Sequence, residues 1–253
     1  MHYTFTSGGY ELSAILARPE NPKHRRLPGL VISHGYPSAI AGAGATKSAY
    51  QALADRIATD LGWVVLAINY RGCGGSEGNF SMDGWYDDTI AAIDELCAMD
   101  DVAAIWLAGF GTGGALAIAA AASDDRVRGV ASMGPPADFD DWVSNPKLLL
   151  QHSRKIGVVT DEEFPPSFDD WAEALGRYKA VDFATRMQDK PFLLLHGGDD
   201  EAVPVFDARV IADAHGSANL RVVQGASHAL RYDPRAVAIL LGWLERQRHR
   251  SVL

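Results

Sequence analysis

Short, unbroken apolar runs alternate along this chain with longer stretches in which apolar side chains recur every three or four positions. The first kind reads as strands covered on both faces, the second as helices packed against them. Gly29–Ser33, Trp63–Tyr70, Ala104–Ala108, Gly129–Met133, Pro191–Leu195 and Leu220–Val223 are the expected buried strands. Tyr50, Leu53, Ile57 and Leu61 share a helical face, as do Tyr86, Ile90, Ile93 and Cys97. An alanine-rich helix is expected from about Thr112 to Ala122, and another near Phe206 to His215. The last helix carries the stripe Ala236, Ile239, Leu240 and Trp243, and Asp233-Pro234 supplies its cap and first-turn proline. Ahead of all this, Tyr3–Thr6 and Glu11–Arg18 flank Gly8-Gly9 and read as an antiparallel pair.

From about 136 to 189 the rhythm breaks. Trp142, Phe164, Pro165-Pro166, Phe168, Trp171 and Tyr178 are set among many acids there. The alternation elsewhere predicts one α/β domain over 1–253, with a mostly parallel sheet of about eight strands and helices on both faces. The stretch 136–189 is expected as a small lid over the C-terminal strand ends, with Asp138, Asp140, Asp141 and Asp161-Glu162-Glu163 on its solvated face.

Charge narrows the partners. The formal net charge is −9, and the longest basic run is Lys23-His24-Arg25-Arg26. Neither nucleic acid nor an anionic membrane surface is an expected partner. The most apolar helix, Ala115 to Ala122, is too short for a span. Two cysteines, Cys73 and Cys97, and an N-terminus without a secretory pattern point to a reducing, cytoplasmic setting. Composition does not decide the oligomeric state.

Open α/β sheets place ligands at the loops after their strands. Those loops are His34-Gly35-Tyr36-Pro37, Tyr70 to Gly78, Gly109-Phe110-Gly111-Thr112-Gly113-Gly114, Asp200 to Pro204, and Gly225-Ala226-Ser227-His228. Together they resemble the α/β-hydrolase superfamily, in particular its dienelactone-hydrolase-like and serine-aminopeptidase-like branch, over nearly the whole chain. The resemblance implies an esterase or acyl-hydrolase ancestry and an acyl or carbonyl small molecule as ligand. It also implies the order nucleophile, acid, histidine, matched here by position 111, Asp200 and His228. Asp199 is a rival for the acid; Asp200 is preferred because a Val-Pro pair follows it in the family's spacing. Backbone N–H groups of Tyr36 and Thr112 are implied as an oxyanion hole.

The departure is Gly111. Where the family carries Ser, Cys or Asp, this chain has no side chain, so no covalent acyl-enzyme is expected. Two readings stay open: a His228–Asp200 pair acting as general base on water or substrate, and a non-catalytic homologue that binds a ligand or partner. Thr112 is the nearest alternative hydroxyl, though its place on the first helical turn points it away. Gly109, Gly111 and Gly114 also spell the dinucleotide fingerprint, but no acid ends the next strand, where Ser132-Met133-Gly134 stand. No cofactor is therefore expected. None of the eight histidines pairs at zinc spacing, and no metal is expected. His34 and His196 are read as backbone-bracing, Ser76 as structural, and Cys73 as an unreactive core thiol.

Overall fold

A computed structural model describes residues 1–22, 24–38, 47–187 and 189–251; Lys23 of the basic corner lies outside the described residues. Eight strands form one sheet: β1 (His2–Ser7), β2 (Tyr10–Ala17), β3 (Leu27–Ser33), β4 (Val64–Ile68), β5 (Val102–Phe110), β6 (Val127–Met133), β7 (Phe192–Gly197) and β8 (Asn219–Val223). Their order is β1-β2-β4-β3-β5-β6-β7-β8. The pairs β1–β2 and β2–β4 are antiparallel and all others parallel. This is the α/β-hydrolase arrangement expected from the sequence.

Alternation along each central strand sends side chains to two separate cores. Val31, Leu107, Val130 and Leu194 face one side. There they meet α2 (Met82–Cys97), α3 (Thr112–Ser123) and α8 (Val205–His215). Leu30, Ile32, Trp106 and Leu193 face the other. There they meet α1 (Lys47–Arg56) and α9 (Pro234–Ser251). Helix α3 is apolar all round, as a helix covered on every side must be, and Ala115 to Ala121 are at most 1% exposed.

Local chemistry sets the ends of these elements. Ser81 caps α2 by accepting the Gly84 N–H. Asp233 caps α9 through the N–H groups of Arg235 and Ala236. The helical periodicity from Tyr50 to Leu61 is realised as α1 followed by a π-helical turn over Ile57–Leu61, closed by left-handed Gly62. The fourth strand is shorter than the apolar run Trp63–Tyr70 predicts. Asn69 still donates its N–H to the Ser13 carbonyl of β2, and Tyr70 leaves the sheet because its N–H donates to His34 Nε2 and its carbonyl accepts the Cys73 N–H.

Between β6 and β7 lie four short helices, α4 (Asp140–Ser144), α5 (Pro146–Lys155), α6 (Phe168–Ala174) and α7 (Ala180–Ala184). The loop ahead of α2 anchors this segment. The Phe80 N–H donates to the Val158 carbonyl, Trp171 Nε1 donates to the Phe80 carbonyl, and Asn79 Oδ1 accepts the N–H groups of Thr160 and Asp161. Among the described residues, no helix is long and apolar enough to cross a membrane.

Candidate active site

The chain passes from β3 to β4 on one side and then returns to β5 on the other. Loops leaving β3 and β5 therefore diverge at their carboxyl ends, which opens a crevice. Ser33 and Gly109 are register partners there, so the β3 loop and the turn into α3 stand side by side.

Three glycines make that turn sterically feasible. A Cβ on Gly109 would lie 2.3 Å from the Gly113 carbonyl oxygen, and one on Gly113 would lie 2.3 Å from the His34 carbonyl oxygen. Between them Gly111 has φ 51° and ψ −123°, a conformation that side-chain-bearing residues adopt at a cost of order 1–3 kcal/mol. Its N–H donates to the Met133 carbonyl, fixing the turn to β6. A Cβ built on Gly111 would sit 3.3 Å from His228 Nε2. The empty side-chain direction of this residue thus points at the imidazole.

His228 comes from the loop after β8 and Asp200 from the loop after β7. Asp200 Oδ2 accepts from His228 Nδ1 at 2.8 Å. Asp200 Oδ1 accepts the N–H groups of Ala202 and Val203, each at 2.9 Å. Burial of this carboxyl opposes its charge, but the bonds from His228 and the two amides outweigh that and hold its pKa below the usual carboxylate range. With Nδ1 turned to Asp200, it is Nε2 that His228 presents toward Gly111. The side chain of His228 is 38% exposed while that of Asp200 is fully enclosed, so the base is reachable and its partner is not. Asp199 is exposed, and its N–H donates to the Ala226 carbonyl.

The remaining sequence candidates fall around this pair. Tyr36 is in the β3 loop, and its N–H donates to no group among the described residues. The Thr112 N–H opens α3, where no helical carbonyl precedes it. Both residues border a cavity of about 380 Å3 over Gly111 and His228. Gly35 permits the approach of the two loops, since a Cβ there would lie 3.0 Å from the Phe110 carbonyl oxygen. Tyr36 reaches away from the sheet: its hydroxyl bonds Ser153 Oγ at 2.8 Å, and burial pushes its pKa up to about 12.

Buried histidines brace backbone, as expected. His34 Nδ1 donates to the Gly35 carbonyl and Nε2 accepts the Tyr70 N–H; burial lowers its pKa to about 4 and keeps it neutral. His196 Nε2 bonds the Val203 carbonyl at 2.9 Å, steadying the loop that carries Asp200. Ser76 Oγ donates to the Asn69 carbonyl and accepts the Ser13 N–H. Cys73 is enclosed, and burial pushes its thiol up to about 12.

Asp140 and Asp141 are exposed, as expected of a solvated face, and Asp138 is half-buried; all three also border the cavity. Asp161, Glu162 and Glu163 are exposed. Sequence reasoning also passed over Gly134. Its φ is 61°, and a Cβ there would press to 3.3 Å from His228 Nδ1 and 3.5 Å from Asp200 Oδ2. A glycine at the end of a central strand was the available signal.

Comparison with known proteins follows the same lines. A search of curated proteins finds no match. Among solved structures, Est1E from Butyrivibrio proteoclasticus superposes with a TM-score of 0.74 at 19% identity, covering 99% of this chain and 98% of that one. The alpha/beta hydrolase GrgF from Penicillium sp. sh18 gives 0.76 at 19% identity, covering 98% and 99%. The Pyrococcus furiosus esterase Pf2001 gives 0.70 at 17%, covering 98% and 91%. The sequence model of the Alpha/beta hydrolase family matches residues 30–239. The chain belongs to the alpha/beta hydrolase family.

Proposed function

We propose that this protein binds an acyl or carbonyl compound over Gly111 and uses His228, held by Asp200, as a general base on water. The observation that carries the reading is the 2.8 Å Asp200–His228 bond with Nε2 directed at Gly111. A binding module has no need of an imidazole whose tautomer is set by an enclosed carboxylate.

The step balances without a covalent intermediate. His228 Nε2 takes a proton from water as its oxygen bonds to the substrate carbonyl carbon. The resulting oxyanion lies against the N–H groups of Tyr36 and Thr112, and Asp200 stabilises the imidazolium. The imidazolium then returns the proton to the leaving group as the carbon–heteroatom bond breaks. Gly111 supplies no attacking atom, so the ordinary acyl-enzyme route of esterases is closed.

Gly111 favours a second reading, in which the same cavity binds a ligand and performs no chemistry. Comparison of the parent protein with His228→Ala on a panel of activated esters separates the two. The expected result is a slow, burst-free hydrolysis by the parent that falls to the buffer rate in His228→Ala, with no acyl adduct by mass spectrometry. Equal rates for parent and variant would leave the binding reading.

A further inference from the structure

The cavity over Gly111 carries an unbalanced charge. Asp138, Asp140, Asp141 and Asp207 border it, and among the described residues no Lys or Arg does. Lys179 reaches Asp140 from outside at 2.8 Å. Asp207 Oδ2 accepts the Ala137 N–H, and Asp138 Oδ1 accepts the Asp140 N–H. These amide bonds orient the carboxylates without cancelling their charge. Four carboxylates against one ammonium leave a net of three negative charges around about 380 Å3. Water screens the exposed Asp140 and Asp141, so the field in the cavity comes chiefly from the half-buried Asp138 and Asp207; it repels an anionic ligand and attracts a cation.

The rest of the lining suits a cation with an apolar body. Trp142 borders the cavity with Tyr36 and Phe139 packed against it, at centroid distances of 5.1 and 5.0 Å. Aromatic rings beside carboxylates form the combination that holds ammonium groups. Pro136, Val203 and Pro204 add apolar surface. The volume is that of a small-molecule site.

We infer that the compound bound here carries an ammonium group besides its carbonyl, with the cation between Trp142 and the carboxylates of Asp138 and Asp141. Carboxylate-bearing analogues are disfavoured. This rests on the reading that the carbonyl end lies at His228, and the test separates the two. Three benzamides of matched shape serve as probes, their nitrogen bearing a trimethylammonioethyl, a 3,3-dimethylbutyl or a carboxyethyl group. Each is titrated into the full chain at pH 7 and low salt. Calorimetry gives Kd, and the His228 ring resonances report where the probe sits.

The cationic probe should bind at least about 10-fold more tightly than its neutral isostere, with the carboxylate weakest. In Asp138→Asn/Asp141→Asn the preference should shrink below about 3-fold, and 0.5 M NaCl should weaken it in the parent. Asp141 is exposed, so Asp141→Asn alone, with a partial loss, serves if the double variant does not fold. Probes that all perturb His228 with no cationic preference would overturn the inference and leave the acyl site standing. So would a preference that survives removal of the carboxylates. Probes that leave His228 unperturbed would remove the acyl-site reading and this inference with it.

Discussion

The two sides of the site are built differently. At the turn between β5 and α3 everything is backbone: Gly109, Gly111 and Gly113 bring strand, helix and the β3 loop closer than side chains would permit. At the loops after β7 and β8 the work is done by side chains, with Asp200 enclosed, His228 reachable, and His196 steadying the loop between. The side-chain half holds an imidazole bonded to an enclosed carboxylate, while the backbone half is a tight strand-to-helix turn whose central residue carries no side chain.

The sharpest way to break this comparison is to add a methyl group to the backbone half. Gly109→Ala and Gly113→Ala each drive a Cβ to 2.3 Å from a backbone oxygen, and each should cost more than about 4 kcal/mol or abolish folding. Gly242→Ala on α9 is the control: its Cβ would meet only Arg246 Nη1, at 3.8 Å, and it should stabilise by about 0.5–1 kcal/mol. Urea unfolding measures all three, and near-neutral effects at 109 and 113 would refute the close-packed turn.

Next in size, Gly111→Ser should raise hydrolysis of p-nitrophenyl esters at least about 100-fold over the parent, with burst kinetics, because on the proposed reading it places an attacking oxygen beside His228 Nε2. The new Cβ at 3.3 Å requires His228 to yield by a few tenths of an ångström, which a half-exposed imidazole can do. Adding His228→Ala should abolish the gain. A folded Gly111→Ser protein without activity on short or long esters would show that the two halves are not in working register.

Acid titration sharpens the role of the loop that joins the halves. Burial lowers the His34 pKa from 6.5 to about 4. Between those values the unfolded chain binds the proton and the folded chain does not, so stability is complete above about pH 6.5 and falls as pH drops toward 4. From pH 7 to 4.5 the loss from this group should be about 2 kcal/mol. Burial also lowers the His215 pKa, which adds a loss of the same sign. His34→Gln should flatten the slope by about the first amount in denaturant melts at the two pH values. An unchanged slope would mean that His34 is not held neutral. Asp200 acts lower still: its depressed pKa makes its contribution present above the usual carboxylate range and lost below it.

The smallest expected effect is at the tie between the β3 loop and α5. Tyr36→Phe removes the bond to Ser153 and should cost about 1 kcal/mol. Ser153→Ala should add little on top of it, because the two changes delete one interaction. Full additivity in a double-mutant cycle would show that the bond contributes nothing.

By itself the sequence determined which segments outside 136–189 become strands and helices, and which five loops carry chemistry-bearing residues. Apolar periodicity reports local burial, and burial is what the two cores demand of residues such as Leu30 and Val31. It also singled out Gly111, Asp200 and His228, through the resemblance of their motifs and chain order to those of the α/β-hydrolase superfamily. Tertiary structure alone decided the rest. The placement of β3 between β4 and β5 opens the crevice, and nothing in either strand's own pattern specifies its neighbours. Gly134 is demanded by two side chains that arrive from β7 and β8, distant in sequence. Asp138 and Asp161 read alike in the sequence, yet Asp138 is half-buried at the cavity and Asp161 is exposed, since a carboxylate over a cavity and one facing bulk water have the same local pattern. Only the chain's path after β6 distinguishes them.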